Sequence, residues 1–449
     1  SKYLSMRYPI PLLFVAGCIA PPADLPEPPA PVERAGTAVF AEQAEPTVWA
    51  AQAEPDEPDE PDQQDEQDDP VEPDEPDEPD QQDDPVEPDE PNACEAHEYP
   101  VPVWPTGLPE EHGFDPVALS AAADLAEDNH SNCLMVVRHG VVVGEWYWQG
   151  TTPTTRVKNW SVAKSYSSTV VGLAIDRGDL ESVDQPAADH LPQWQGTDNE
   201  IIRLHDLMAM SSGLQFNLLA DNVSLPLAAD MTALAVQTPL ANPPGSLWEY
   251  NNHAVQALEP VLRAATGMSA AEYANEHLFE PLGMDVEWKH DQTGHPALFM
   301  NARTSCRDNA RFGYLFLRNG CWNGEQLLSE EWVEAATSPS TSLNRGYGYW
   351  WWLSGQEPTL DSVDFSPKPP GGLHPFAPDD AFCAAGLGNQ FIEVIPSLDL
   401  VVVRMGTAPQ DVPGAWSDPA AMLEEAANDG HQLLHNALLE LVLDALTEP

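Results

Sequence analysis

Asn159-Trp160-Ser161-Val162-Ala163-Lys164-Ser165 is the stretch around which the rest of the chain can be placed. From Val162 to Arg177 apolar or small residues recur at Tyr166, Val170, Leu173 and Ala174, a helical spacing, and Gly178 supplies a left-handed stop. Ser161 therefore stands at the N-terminus of a helix that is nearly uncharged from Ser165 to Asp176. Residues three apart on a helix share a face, which brings Lys164 within reach of the Ser161 hydroxyl. A serine hydroxyl needs a neighbouring base to become a nucleophile, and backbone N–H groups at a helix start can hold a developing oxyanion. With five lysines in 449 residues, Ser-x-x-Lys arises by chance roughly one time in four. A capping serine beside a solvated lysine would read the same way, but the apolar company of Trp160, Val162 and Ala163 argues against it.

Toward the N-terminus, Lys2 and Arg7 precede an apolar run from Ile10 to Ala16 that is too short to span a bilayer. Val15-Ala16-Gly17-Cys18 resembles the lipobox of bacterial lipoproteins. That resemblance implies a signal segment over residues 1–18 and a lipid on Cys18. It also implies an exported protein anchored to the bacterial envelope, periplasmic or cell-surface. An ordinary cleaved signal would share the apolar run.

Residues 19–100 read as a disordered acidic tether, because Pro, Glu, Asp, Gln and Ala offer almost nothing to bury. Pro55–Asp65, PDEPDEPDQQD, returns unchanged at Pro73–Asp83, and Asp68–Pro76 returns at Asp83–Pro91. This is low complexity, not a solenoid. Between Glu54 and Glu90 there are 21 acidic residues and no basic one. Removing them from the formal net charge of -55 leaves -34 on the remainder, which excludes nucleic acid as a natural partner and disfavours anionic lipid headgroups.

The folded domain is expected over 101–449, long enough for a large core. Leu134–Arg138 and Val141–Trp148 around His139-Gly140 read as a hairpin, and Gly346–Leu353, Gln390–Ile395 and Leu400–Met405 as further strands. Helices are expected near 253–265, 269–279, 306–317 and 431–446. Strands at both ends with helices between them predict an α+β fold, an antiparallel sheet flanked by helices plus a helical subdomain.

Ser161-Val162-Ala163-Lys164, Tyr250-Asn251-Asn252 and Ala384-Ala385-Gly386-Leu387-Gly388-Asn389-Gln390 resemble, in order and approximate spacing, the three motifs of the serine β-lactamase-related hydrolases. That superfamily includes class C β-lactamases, D-alanyl-D-alanine carboxypeptidases, family VIII esterases and 6-aminohexanoate-dimer hydrolases. The likeness runs from about Phe114 to Leu446, and the Ser-Val-Ala-Lys-Ser motif, the Gly-Asn-Gln turn and the paired tryptophans look most similar to the last branch. It implies a β-lactamase/transpeptidase-like fold and a cofactor-free hydrolase of small-molecule amides or esters acting through an acyl-enzyme. Ser161 would be the nucleophile, with Lys164 and Tyr250 as catalytic partners. Asn252 would orient Lys164 or a substrate carbonyl, and backbone at Ser161, Gly386 and Leu387 would face the oxyanion. A phenol beside an ammonium is expected to fall below its reference pKa of about 10.

The chain departs from the common pattern at Ala384-Ala385-Gly386, where many relatives carry Lys or His followed by Thr or Ser and then Gly. The loss of that cation weighs against penicillin hydrolysis or D-Ala-D-Ala trimming as the main activity. A non-catalytic envelope-binding lipoprotein that keeps the fold is the alternative from another class.

Other constellations weigh less. His431 and His435 stand four apart, as zinc-binding histidines would, but Gln432 replaces the glutamate of a zinc protease and no third ligand follows. The pair reads as a surface helix face, and no metal is expected. Trp350, Trp351 and Trp352 alternate if extended, so the middle one faces opposite to its neighbours. Beyond Cys18, cysteines at 94, 133, 306, 321 and 383 leave at least one out of any internal pairing, and spacing does not reveal the partners.

Overall fold

The computed structural model describes Cys94, His97 and residues 99–368, 375–407 and 431–447. The signal segment, Cys18 and the acidic repeats lie outside the described residues. Among those described, no helix is long and apolar enough to cross a membrane.

The core is a six-stranded antiparallel sheet: β1 (Ser131–Arg138), β2 (Val141–Tyr147), β3 (Trp352–Leu353), β4 (Phe382–Gly386), β5 (Gln390–Ile395) and β6 (Leu400–Gly406). Their order across the sheet is β2-β1-β6-β5-β4-β3. The first hairpin turns at His139 and Gly140, both with positive φ (53° and 76°), the geometry that matches a two-residue turn to strand twist. The six residues of β5 are all buried, as are the seven of β6, so both faces must be covered by helices.

One face receives α6 (Cys306–Leu317), where Gly313 permits close approach. A Cβ there would come within 2.7 Å of Ile392 and 2.8 Å of Val401. The other face is covered by α1 (Pro116–Asp128) and the closing helix α7 (His431–Asp444). Arg404, buried on β6, donates to Ser131 Oγ (2.8 Å), Asn389 O (3.0 Å) and Asn129 O (3.0 Å) and so ties α1 to the β4–β5 turn. Between β2 and β3 come α2 (Ala163–Asp176), α3 (Leu204–Met208), α4 (Asn252–Gln256) and α5 (Leu258–Thr266), which build the helical subdomain.

Two disulfides close the framework, Cys133–Cys306 joining β1 to the start of α6 and Cys94–Cys321, while Cys383 is free and buried. Expectation and structure differ in four places, the first being the helix expected near 253–265, which divides at Ala257 into α4 and α5. The strand expected over Gly346–Leu353 is reduced to Trp352–Leu353, because Trp350 takes a positive φ of 66° that breaks extended backbone. Trp351 still faces α6, stacked on Phe312, while Trp352 stacks on Tyr250. The helix expected over 269–279 is short, Ala270–Ala274, followed by a wider π-type turn over Asn275–Phe279. His435 is no surface residue: it is 4% exposed, pressed onto Phe391.

Candidate active site

Ser161 lies in a single tight turn, Trp160–Val162, that leads directly into α2. Trp160 holds φ at 50°, uncommon for a bulky residue and typical of a site fixed by its surroundings. Asn301 N donates to Trp160 O at 3.1 Å and Val162 N to Asn159 O at 3.1 Å, so the turn is pinned from outside and within.

One helical step on, Lys164 is 1% exposed and points back at the serine. Its Nζ donates to Ser161 Oγ at 3.0 Å and to Phe299 O at 2.8 Å, and sits 4.6 Å from the centroid of the Tyr250 ring. Burial pushes the lysine down to about 7, against a partial upward pull from Asp221. A large fraction of the amine is therefore neutral near pH 7 and can accept a proton. The Phe299 carbonyl is itself held by its neighbours. Gln256 accepts from Leu298 N (3.0 Å) and donates to Pro296 O (2.9 Å), and Ser167 Oγ donates to Leu298 O (2.7 Å).

Tyr250 precedes α4, with its ring centroid 4.6 Å from Lys164 Nζ and 6.1 Å from that of Tyr347. Its acidity is the reverse of the sequence expectation. Desolvation among Trp248, Tyr347 and Trp352 raises the phenol well above its usual value, and the charge of Asp221 adds to the rise. At neutral pH Tyr250 is a protonated donor.

Asn252 opens α4, capped by Asn251, whose side chain accepts from Ala254 N at 3.1 Å. Its Nδ2 reaches Asn222 Oδ1 at 3.4 Å, whereas the lysine is held by Phe299 O. Asp221 is buried, accepts from His253 N (3.1 Å) and His253 Nδ1 (2.9 Å), and leaves Oδ2 without a hydrogen-bond partner among the described residues. Asp221 and the Phe299 carbonyl carried no motif and were missed in the sequence.

Across the turn stands the end of β4. A Cβ on Gly386 would lie 2.5 Å from Asn159 O and 3.0 Å from Ser161 N, so only glycine lets this strand touch the nucleophile turn. Leu387 follows it, with its carbonyl taken by Gln390 Nε2 at 3.2 Å. Ser161, Lys164, Tyr250 and Gly386 thus converge from α2, the start of α4 and β4. Serine and amine are hydrogen-bonded, with the Tyr250 ring against the amine and two backbone segments beside them, an arrangement suited to acyl transfer.

The family described as Beta-lactamase matches residues 122–427 of this chain. A 6-aminohexanoate-dimer hydrolase of Paenarthrobacter ureafaciens is 26% identical over 263 residues, spanning 51% of this chain and 66% of that protein, just under two thirds of its length. Among solved structures, a Bacillus anthracis protein provisionally assigned as a 6-aminohexanoate-dimer hydrolase superposes with a TM-score of 0.54 at 20% identity, covering 75% of this chain and 90% of its own. A Bacteroides dorei DSM 17855 protein provisionally assigned as a β-lactamase gives 0.58 at 19% identity, covering 75% and 100%. At such identities the two structures speak to the fold.

Proposed function

The chain belongs to the Beta-lactamase family, as a serine hydrolase related to 6-aminohexanoate-dimer hydrolase, and from that premise we propose that it cleaves an amide or ester through an acyl-enzyme on Ser161. The observation that carries the reading is the 3.0 Å contact between Ser161 Oγ and a lysine pushed down to about 7. Neutral Lys164 takes the hydroxyl proton as Oγ attacks the substrate carbonyl. The oxyanion that forms meets the backbone N–H groups of Ser161 and Leu387. Tyr250, protonated and with its ring 4.6 Å from Lys164 Nζ, hands its proton to the leaving amine or alcohol and is reprotonated from Lys164. Water then repeats the sequence on the acyl-enzyme and frees the acid.

Substrate class follows from charge. Ala384 and Ala385 put no cation where β4 meets the site, while Trp248, Tyr347 and Trp352 pack as a buried aromatic cluster around Tyr250. Short acyl amides and esters without an obligatory carboxylate suit that site better than a penicillin or a D-Ala-D-Ala terminus. The lipobox-like Val15-Ala16-Gly17-Cys18 extends the proposal to an exported protein held to the envelope through Cys18, which Cys18→Ser would release from membranes.

A fluorophosphonate probe separates an enzyme from a non-catalytic binding protein of the same fold. Labelling of the parent chain and none of Ser161→Ala supports the proposal; a parent chain that takes no label contradicts it. Turnover of an ester and amide panel against nitrocefin and D-Ala-D-Ala peptides then ranks the substrate classes.

A further inference from the structure

The sheet face beneath α7 carries a polar cluster that the acyl-transfer chemistry does not use. Cys383 on β4 and Glu393 on β5 are cross-strand partners in register, so both side chains leave the sheet on one side. His435 of α7 closes over them: its ring stacks on Phe391 with centroids 3.9 Å apart and planes 8° from parallel, and Nε2 lies 3.0 Å from Glu393 Oε2. Cys383 and Glu393 are 0% exposed and His435 is 4% exposed. One donor atom from each, a sulfur, a carboxylate oxygen and an imidazole nitrogen, lies within 4.8 Å of the others.

Donors at zinc bonding distances sit roughly 3.3–3.8 Å apart around a tetrahedron, so small side-chain adjustments bring this trio onto one ion. The donor set is selective. Thiolate with imidazole suits zinc and its neighbours in the first transition row, whereas magnesium and calcium take oxygen donors. A neutral imidazole keeps a lone pair for a ligand bond, and His435 already turns Nε2 toward the Glu393 carboxylate. Phe391 fixes the ring plane, the kind of support that orients a metal-bound histidine.

We propose that Cys383, Glu393 and His435 form a buried site for one zinc-class divalent cation, with a fourth position left to a small non-protein ligand. The balance of the binding step is simple. The ion replaces the thiol proton of Cys383, which leaves to solvent. The His435 ring proton moves from Nε2 to Nδ1, and the ring stays neutral. Thiolate and carboxylate together offset the two positive charges. The bound ion ties α7 to β4 and β5, directly behind the strand end that carries Gly386, and acts on stability without touching the reacting atoms.

The test uses the full chain, treated with chelator and then loaded with zinc or cobalt(II). The expected result is one equivalent retained through gel filtration, a higher melting temperature with zinc, and a thiolate-to-cobalt charge-transfer band. Cys383→Ala should lose the band and the retained equivalent, and Glu393→Gln should weaken binding at least tenfold. Cys18→Ser and His295→Ala, the latter in a separate Asp230–Asp291–His295 cluster, should keep both. No stoichiometric retention, a cobalt complex without a thiolate band, or an ion that survives Cys383→Ala would each overturn the site. The parent-chain cobalt spectrum decides the matter even where a variant fails to fold.

Discussion

Lys164 Nζ stands 3.0 Å from Ser161 Oγ and, on its other side, 2.8 Å from the carbonyl of Phe299, in a pocket that leaves the lysine 1% exposed. The amine is thus aimed at the serine by a backbone acceptor and stripped of the water that would keep it charged. Base strength, orientation and stability all follow from this one placement.

The rate should follow the neutral form of Lys164. Activity measured as kcat/KM is expected to rise as pH increases through about 7, where the lysine loses its proton. Asp221 pulls that value upward, so Asp221→Asn, which keeps the acceptor for His253, should move the acid limb to lower pH. A limb that moves to higher pH would contradict the electrostatic role given to Asp221.

Stability should move the opposite way to activity at position 164. The folded-state pKa lies below the unfolded one, so the unfolded chain binds the extra proton between about 7 and the ordinary lysine value. The resulting cost is full below about 7 and fades as pH rises toward the unfolded value. Lys164→Met should therefore abolish turnover yet raise the melting temperature, most at pH 6 and least near pH 10 (both on the order of the two pKa values). Calorimetry across that range checks both the sign and the trend.

Gly386→Ala should cost about 100-fold or more in kcat, because the new methyl meets Asn159 O and Ser161 N and forces apart the two backbone segments that face the oxyanion. Ala384→Gly, one pleat away, should be mild. Steady-state kinetics on one ester substrate compares them.

Tyr250→Phe should keep the fold, since the ring still packs on Trp352, and lower kcat by about 100- to 10,000-fold through the lost proton donor. Combined with Lys164→Ala the loss should be scarcely larger than in the worse single variant, because serine, lysine and phenol act as one unit. Losses that multiply would show independent roles.

Where sequence reading succeeded, local signals were enough. β5 carries Phe, Ile, Val and Ile in six residues bounded by Gly388-Asn389 and Pro396, and it emerged with its expected ends, Gln390 and Ile395. Ser161 and Lys164 meet because three residues of helix bring them together, which needs no knowledge of the rest of the fold. The failures came from distant partners. Tyr250 was expected to be acidic from its nearness to Lys164, but the aromatic rings that desolvate it come from near 347 and 352. The Phe299 carbonyl is a backbone atom and leaves no mark in residue identity. His435 looked like one face of an isolated helix, and only the sheet pairing of Cys383 with Glu393 gives it a buried setting.

The central claim is that Ser161 is the atom acylated, and intact mass after incubation with a slowly hydrolysed ester tests it most directly. The parent chain should gain the mass of the acyl group, peptide mapping should put it on Ser161, and Ser161→Ala should gain nothing. An adduct of the same mass that persists in Ser161→Ala would place the nucleophile elsewhere and contradict the account.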